Sequence, residues 1–243
     1  MIIHQALIMA AGYATRMRPL TDTLPKPLLK VGGKPLLTHI IDHLVKAGVT
    51  TIVINGYHAI AALKDYMTEI RKEHPDLTLY LSQEESLLDT GGGAVKAMEY
   101  LDRDVPFYMI NGDAFWVDAT DRTTLQTLAE SHYANGGDLT LLLQSIHSMS
   151  LTGAVGDYDI DLDTSLASRS LDKTGEYMFT GIRVCHPQIM SPYSETCFSF
   201  LEIMDALDKK DALYGCPHRG DWYHISTPED LDDVNKSLFG ITA

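Results

Sequence analysis

At 243 residues, 45% of them hydrophobic, the chain can bury a sizeable core, and α/β proteins of this length commonly form one unit. A formal charge of -14 argues against nucleic acid or an anionic membrane as partner, since phosphate backbones are bound by an excess of Lys and Arg. Three cysteines with no C-x-x-C pair argue against a disulfide framework or zinc ribbon, and no stretch nears the roughly 18 uninterrupted apolar residues of a membrane helix.

The apolar opening over 2–12 is broken by His4 and Gln5 and lacks the basic segment of a signal peptide, so a cytoplasmic setting is expected. Within it, Ala6 to Met9 reads as a buried strand, followed by a turn of small residues as far as Thr15. The positions Leu37, Ile40, Ile41, Leu44 and Val45 recur at helical spacing, with Gly48 placed to end the helix. Thr51 to Ile54 predicts a second strand, Ile60 to Ile70 a second helix stopped before Pro75, and Leu77 to Leu81 a third strand. A helix opens at Asp89-Thr90-Gly91-Gly92-Gly93, and the apolar run Phe107 to Ile110 ends in Asn111-Gly112-Asp113. Thr124 to Tyr133 reads as helix and Leu139 to Leu143 as a buried strand. This alternation predicts a doubly wound, mostly parallel Rossmann-like sheet.

Beyond Ser145 the pattern weakens. Gly153 to Leu162 and Tyr177 to Val184 suggest antiparallel strands around a polar stretch, 164–176, expected to be a loop or hairpin end. Ser199 to Leu207 reads as helix and Trp222 to Ile225 as a short strand. Thr227 as N-cap, Pro228 at the first helical position and Asp230 in the first turn introduce a last helix.

Chemistry concentrates at the start. Ala10-Ala11-Gly12 follows a strand with so little side-chain bulk that backbone amides can approach a phosphate. Arg16 lies four residues beyond Gly12, and Pro25-Lys26-Pro27 stiffens the chain on both sides of one lysine, which suits aiming a charge at an anion. Asp113 falls just past a strand's carboxyl end, where open α/β sheets place their ligands. Gly91 to Lys96 lacks the Gly-Lys-Ser/Thr ending of a P-loop, and Gly12-Tyr13-Ala14 does not supply the G-x-G-x-x-G of a dinucleotide-binding dehydrogenase.

From Met9 to Leu28 the chain resembles the signature of the sugar-phosphate nucleotidyltransferases, L-A-A-G-x-G-x-R-M/L-x-P-L-T followed by P-K-P-L, with Ala14 at the second glycine. The resemblance implies a glycosyltransferase-A-like nucleotidyltransferase fold in one domain, 1–243, with a nucleotide-binding half over 1–145 and a sugar-binding and second-metal half over 146–243 that holds a small sugar-binding lobe. It implies that Ala10, Ala11, Gly12, Glu84, Gly92 and Asn111 bind the nucleotide, with Glu84 at the base edge and Gly92 touching the base through its backbone. It implies that Arg16 polarises the leaving pyrophosphate, that Lys26 acts near the α-phosphate, and that Asp113 holds magnesium. The family's second metal aspartate lies in G-x-W-x-D-x-G-T. This chain reads Gly220-Asp221-Trp222-Tyr223-His224-Ile225-Ser226-Thr227, so His224 stands at the ligand position and manganese becomes an alternative ion.

Gly156-Asp157-Tyr158 and Thr180-Gly181-Ile182 are similar to the short substrate half of N-acetylmuramate 1-phosphate uridylyltransferases, implying that Asp157, Thr180 and Gly181 bind the sugar. The expected reaction joins a nucleoside triphosphate, UTP first, to a sugar 1-phosphate, N-acetylmuramate 1-phosphate first, releasing pyrophosphate. Alternatives are a mannose 1-phosphate guanylyltransferase and a catalytically weakened, nucleotide-binding regulatory protein. Expected partners are these small molecules, with neither nucleic acid nor membrane, in a monomer or small homo-oligomer.

Overall fold

The computed structural model describes residues 2–119, 122–149 and 151–241. Strand β1 (Gln5–Met9) is followed by a small hairpin, β2 (Lys30–Val31) and β3 (Lys34–Pro35), then helix α1 (Leu36–Lys46), β4 (Thr51–Gly56), α2 (Ile60–Glu73), β5 (Thr78–Gln83), α3 (Asp89–Ala97) and β6 (Phe107–Asn111). After β7 (Trp116–Val117) come α4 (Thr124–Asn135), β8 (Leu139–Ser145), β9 (Tyr158–Ile160), β10 (Ala167–Arg169) and β11 (Tyr177–Cys185). The chain closes through α5 (Leu201–Asp208), β12 (Leu213–Pro217), β13 (Asp221–Trp222) and α6 (Pro228–Phe239).

The period-2 alternation of the central strands divides their side chains between two cores. Ala6 and Ile8 of β1, Ile52 and Ile54 of β4, and Tyr108 and Ile110 of β6 face α1, α2 and α4. Leu7, Val53, Phe107 and Met109 face α3 and α5 on the other side. The sheet is therefore covered on both faces, as a doubly wound fold requires. Its order is β10-β9-β11-β6-β1-β4-β5, with β8 pairing β11 and β12. Pairings among β6, β1, β4 and β5, and between β12 and β8, are parallel, whereas β11 runs antiparallel to both β6 and β8. The mostly parallel α/β sheet expected from the sequence is present. No helix among the described residues is long and apolar enough to cross a membrane.

The second half departs from expectation in three places, and in a fourth it agrees. Of the stretch 153–162 only Tyr158–Ile160 is strand, and the polar segment after it contributes β10, which pairs with β9 through Ala167–Ile160. These strands are too short to show alternation. Strand β12, Leu-Tyr-Gly-Cys-Pro, has no sequence signal because Gly and Pro are poor strand residues; it forms by parallel pairing along β8. The strand expected over 222–225 shortens to Asp221–Trp222 and pairs with β7. At the C-terminus Thr227 is the N-cap of α6 with Pro228 and Asp230 in the first turn, as the sequence predicts, and Thr227 and Asp230 there form a reciprocal capping box.

A third core lies off the sheet. Met17, Leu29, Val31, Leu36, Phe115, Tyr223, Ile225, Leu231 and Val234 pack together, joining the loops after β1 and β6 to the segment before α6. Nearby, Asp118 ties three elements into one corner. Its carboxylate accepts from Trp116 Nε1 at 3.2 Å, the Thr124 amide at 3.0 Å and Lys46 Nζ at 3.1 Å, with His43 Nδ1 at 3.5 Å. Burial pushes this carboxyl up, but His43, the Thr124 amide and Lys46 outweigh it and hold the group well below the usual carboxylate range. A depressed carboxyl stabilises the fold above its unfolded value of about 4, and that contribution is lost as pH falls further. Asp118→Asn should therefore lower stability by about 1–3 kcal/mol at pH 7. Urea melts of both proteins at neutral and acidic pH check this, with the gap narrowing as pH drops below about 4.

Candidate active site

The carboxyl ends of β1, β4 and β6 open into a cleft of about 280 Å3. Its wall includes Ala10, Ala11, Gly12, Arg16, Lys26, Asn55, Leu87, Asp89, Thr90, Asn111, Asp113 and Ser226. Residues from opposite ends of the chain thus meet where the crossover helices change sides, the usual ligand crevice of such sheets. Of the positions singled out in the sequence, Ala10, Ala11, Gly12, Arg16, Lys26, Asn111 and Asp113 line it.

Arg16 and Lys26 reach the cleft differently. Arg16 sits exposed on a 3-10 turn, Thr15–Met17, anchored by buried Met17 in the third core. Its neighbour Arg18 is engaged with Asp22 at 3.3 Å. Lys26 is buried, on the turn Lys26–Leu28, and its Nζ lies 2.6 Å from Asp113 Oδ2. The turn after Asn111 is closed by the Gly112 amide on the Met9 carbonyl at 2.8 Å, and a side chain at Gly112 would strike Pro27. Pro25-Lys26-Pro27 is thus locked against the end of β6, and the lysine points at the carboxylate.

His224 is brought to the same corner from the far end of the chain. Strands β7 and β13 pair Trp116 with Trp222, the Tyr223 amide donates to the Phe115 carbonyl at 3.1 Å, and the His224 amide donates to Thr152 Oγ1 at 2.9 Å. Burial pushes the His224 imidazole below its usual range, Asp113 pulls it up, and Lys26 and Arg16 push it down again. The ring is therefore neutral near pH 7 and carries a free lone pair. Ser226 is held by Asp230, whose Oδ2 accepts from the Ser226 amide at 2.8 Å and the Ser226 hydroxyl at 3.2 Å.

Five residues expected at the ligand make contacts within the protein instead of lining this cleft. Glu84 is 2% exposed, and both its carboxylate oxygens are engaged, Oε1 by Asn55 Nδ2 at 2.8 Å and Oε2 by the Leu88 amide at 2.9 Å. No edge of it remains for a base. Gly92 packs under the Thr196 carbonyl, which a Cβ there would strike, and its amide lies 3.4 Å from the Phe198 carbonyl. The Thr180 hydroxyl is buried, donates to the Leu142 carbonyl at 2.7 Å and accepts from the Ile182 amide. Gly181, at φ +76, makes room for Asn111 rather than for a ring. Asp157 is paired with Lys173 at 2.6 Å, outside the cleft wall. One further position is modified: Ala10 lines the cleft, but its amide donates to Asn55 Oδ1 at 2.5 Å, so it faces away from a ligand.

Asn55, Leu87, Asp89 and Thr90 join the wall without having been expected there. Asn55 has a readable signal, an asparagine at the carboxyl end of a buried β-branched run, placed as Asn111 is. The start of α3 at Asp89 is readable, but that Leu87, Asp89 and Thr90 face the cleft is not, because it depends on how α3 packs against the sheet. Ala14 adopts φ +45, ψ +52, the left-handed conformation that a glycine tolerates and an L-residue resists. Ala14→Gly should stabilise the protein by about 1 kcal/mol, read as a higher melting temperature.

Residues 5–155 match the family described as Nucleotidyl transferase. The N-acetylmuramate alpha-1-phosphate uridylyltransferase of Caulobacter vibrioides is 27% identical over 225 residues, covering 92% of each chain. The mannose-1-phosphate guanyltransferase of Schizosaccharomyces pombe is 29% identical over 93% of this chain, which spans only 62% of that relative's length. Among solved structures, UDP-glucose pyrophosphorylase complexed with UDP-glucose shares the fold at a TM-score of 0.79 and 16% identity, covering 98% of this chain and 99% of that one. HddC from Yersinia pseudotuberculosis complexed with GMP-PN does so at 0.73 and 22%, covering 97% and 100%. The signature turn, the cleft it forms with Asp113, and a family match over more than half the length together identify the chain as a member of the nucleotidyl transferase family.

Proposed function

We propose that this protein transfers a nucleotidyl group from a nucleoside triphosphate to a sugar 1-phosphate: a phosphate oxygen of the sugar attacks the α-phosphorus, and pyrophosphate departs in line. The observation that carries this reading is the convergence of Arg16, Lys26 and Asp113 on a turn of small residues within one cleft. In a chain of net charge -14, two cations held at such a turn make a local attraction for a polyanion. Phosphoryl chemistry of this type depends on positioning and charge stabilisation and needs no nucleophilic side chain. Among the described residues the Ala11 and Gly12 amides have no protein acceptor, which leaves them for phosphate oxygens. Arg16 reaches the outer phosphates and Lys26 the α-phosphate, so the negative charge that develops on the departing group meets fixed positive charge.

A divalent cation fits the Asp113–His224 corner. Asp113 has one oxygen engaged by Lys26 and a side chain 40% exposed, and His224 offers a neutral nitrogen. Magnesium commonly takes one or two protein ligands and completes its shell with phosphate oxygens and water. That suits a corner where no group of three or more His, Cys, Asp or Glu side chains gathers among the described residues. Bound there, such an ion would supply charge neutralisation for the phosphates. The imidazole shifts preference from magnesium towards manganese.

UTP with N-acetylmuramate 1-phosphate is the preferred pair, supported by the Caulobacter relative that matches along nearly its whole length. GTP with mannose 1-phosphate is second, since the guanyltransferases are equally similar but longer. We read the chain as one domain, with the nucleotide held by residues 1–145 and the sugar by 146–243.

Pyrophosphate release across five nucleoside triphosphates crossed with several sugar phosphates tests the reaction. One pair should dominate, whereas nucleotide binding without turnover on any pair would favour a regulatory protein. Asp113→Asn should abolish release on that pair, and Arg16→Ala should lower kcat/KM by about 100-fold or more. In metal titrations His224→Asp should shift activity towards magnesium and His224→Ala should weaken both ions. Superimposable curves for all three proteins would remove His224 from the site.

A further inference from the structure

The two walls of the cleft are joined beneath its floor by a buried hydrogen-bond chain. The Ala10 amide donates to Asn55 Oδ1 at 2.5 Å, Asn55 Nδ2 donates to Glu84 Oε1 at 2.8 Å, and the Leu88 amide donates to Glu84 Oε2 at 2.9 Å. Asn55 and Glu84 are 1% and 2% exposed. The chain therefore runs from the small-residue turn after β1, across the end of β4, to the residue that precedes α3. Next to Leu88, Asp89 is held at φ +57, and Leu87, Asp89 and Thr90 line the cleft. The third glycine of the triplet leaves room for this chain: a Cβ on Gly93 would lie 2.7 Å from Glu84 Oε1 and 2.8 Å from Asn55 Nδ2.

We infer that Asn55 and Glu84 are positioning residues that hold the Leu87–Thr90 wall at a fixed distance from the phosphate turn, so that the cleft measures a nucleoside triphosphate from base to phosphates. This rests on the nucleotidyl-transfer reading of the same cleft. Each polar atom along the chain has a partner of the right kind, and in a dry environment a mismatch is expensive enough to move the backbone that carries it. The turn offers its next amides, Ala11 and Gly12, to the ligand only because the Ala10 amide is turned inward onto Asn55. The base side is then met by Leu87, Asp89 and Thr90, while Glu84 sets where they stand. A carboxylate suits that position because each of its oxygens accepts one donor at the same time, which a glutamine cannot do.

The polarity of the chain can be reversed. In Glu84→Gln one of the two donors, Asn55 Nδ2 or the Leu88 amide, meets an NH2 group. In Asn55→Asp two carboxylates face each other. In the double variant all contacts are matched again: the Gln NH2 donates to the Asp, the Gln oxygen accepts from Leu88, and the Asp accepts from Ala10.

Each single variant should raise the nucleotide KM about tenfold or more, the effect of one lost buried hydrogen bond. The same variants should leave the KM for the sugar 1-phosphate near wild type. Affinity for nucleotide relative to inorganic tripolyphosphate should also fall, because tripolyphosphate uses one wall only. The double variant should recover most of both losses. Singles with unchanged nucleotide KM, or a double variant no better than the singles combined, would overturn the inference. Melting temperatures of all four proteins accompany the assay. If the singles melt below the assay temperature the double alone decides, with loss of nucleotide selectivity over tripolyphosphate counting against the inference. If the wild type turns over no pair, the reaction reading fails, and the same variants are compared by calorimetric nucleotide binding. Absence of nucleotide binding by the wild type overturns both.

Discussion

The contact between Lys26 Nζ and Asp113 Oδ2, 2.6 Å long, is the constraint on which the cleft depends. A buried cation needs a partner, since removing a charge from water is costly. A phosphate site, however, needs that cation within reach of an anion. The fold resolves this by pairing Lys26 with a carboxylate that is itself half open to the cleft. Holding the pair takes the Pro-Lys-Pro turn, the Gly112 amide on Met9, and the third core beneath them, in which Met17, Phe115, Tyr223 and Leu231 come from separate segments.

The same arrangement explains how so acidic a protein can address a polyanion. Three of its more buried carboxylates are committed elsewhere: Asp118 to His43, Lys46 and the start of α4, Glu84 to Asn55 and Leu88, and Asp230 to the capping box and Ser226. Asp113 is the exception: it pairs with Lys26 at the cleft and is close enough to His224 to act on it electrostatically. Asp89 lies further along the wall, on the side away from the phosphate turn. The charge of the cleft is thus local, set by which groups are engaged, and the net charge of the chain says little about it.

Legibility follows the kind of signal each residue carries. Arg16, Lys26 and Asp113 can be found because a short-range pattern places them: a strand, a small-residue turn, a proline-flanked lysine, an acid after a strand. Thr227 and Asp230 can be found for the same reason, as partners in one capping box. Glu84 misleads because a carboxylate before a glycine-rich segment looks the same whether it faces solvent, ligand or core. Its burial is decided by Asn55, 29 positions away. The surroundings of Thr180 and Gly92 are illegible likewise: the Leu142 carbonyl and the Thr196 carbonyl beside them come from other segments.

What the sequence determined by itself was the alternation of strands and helices through β8, the two-sided covering of the sheet, the family signature over 9–28 and the last helix with its cap. All of these rest on spacings of a few residues, where backbone geometry acts directly. Only the tertiary structure decided that β10 and β12 exist, that β13 pairs with β7 just ahead of His224, and that Asn55 and Glu84 link the Ala10 amide to the Leu88 amide. Each of these depends on which distant segment supplies the missing hydrogen-bond partner, and a buried polar group takes whichever partner the packed fold puts within reach.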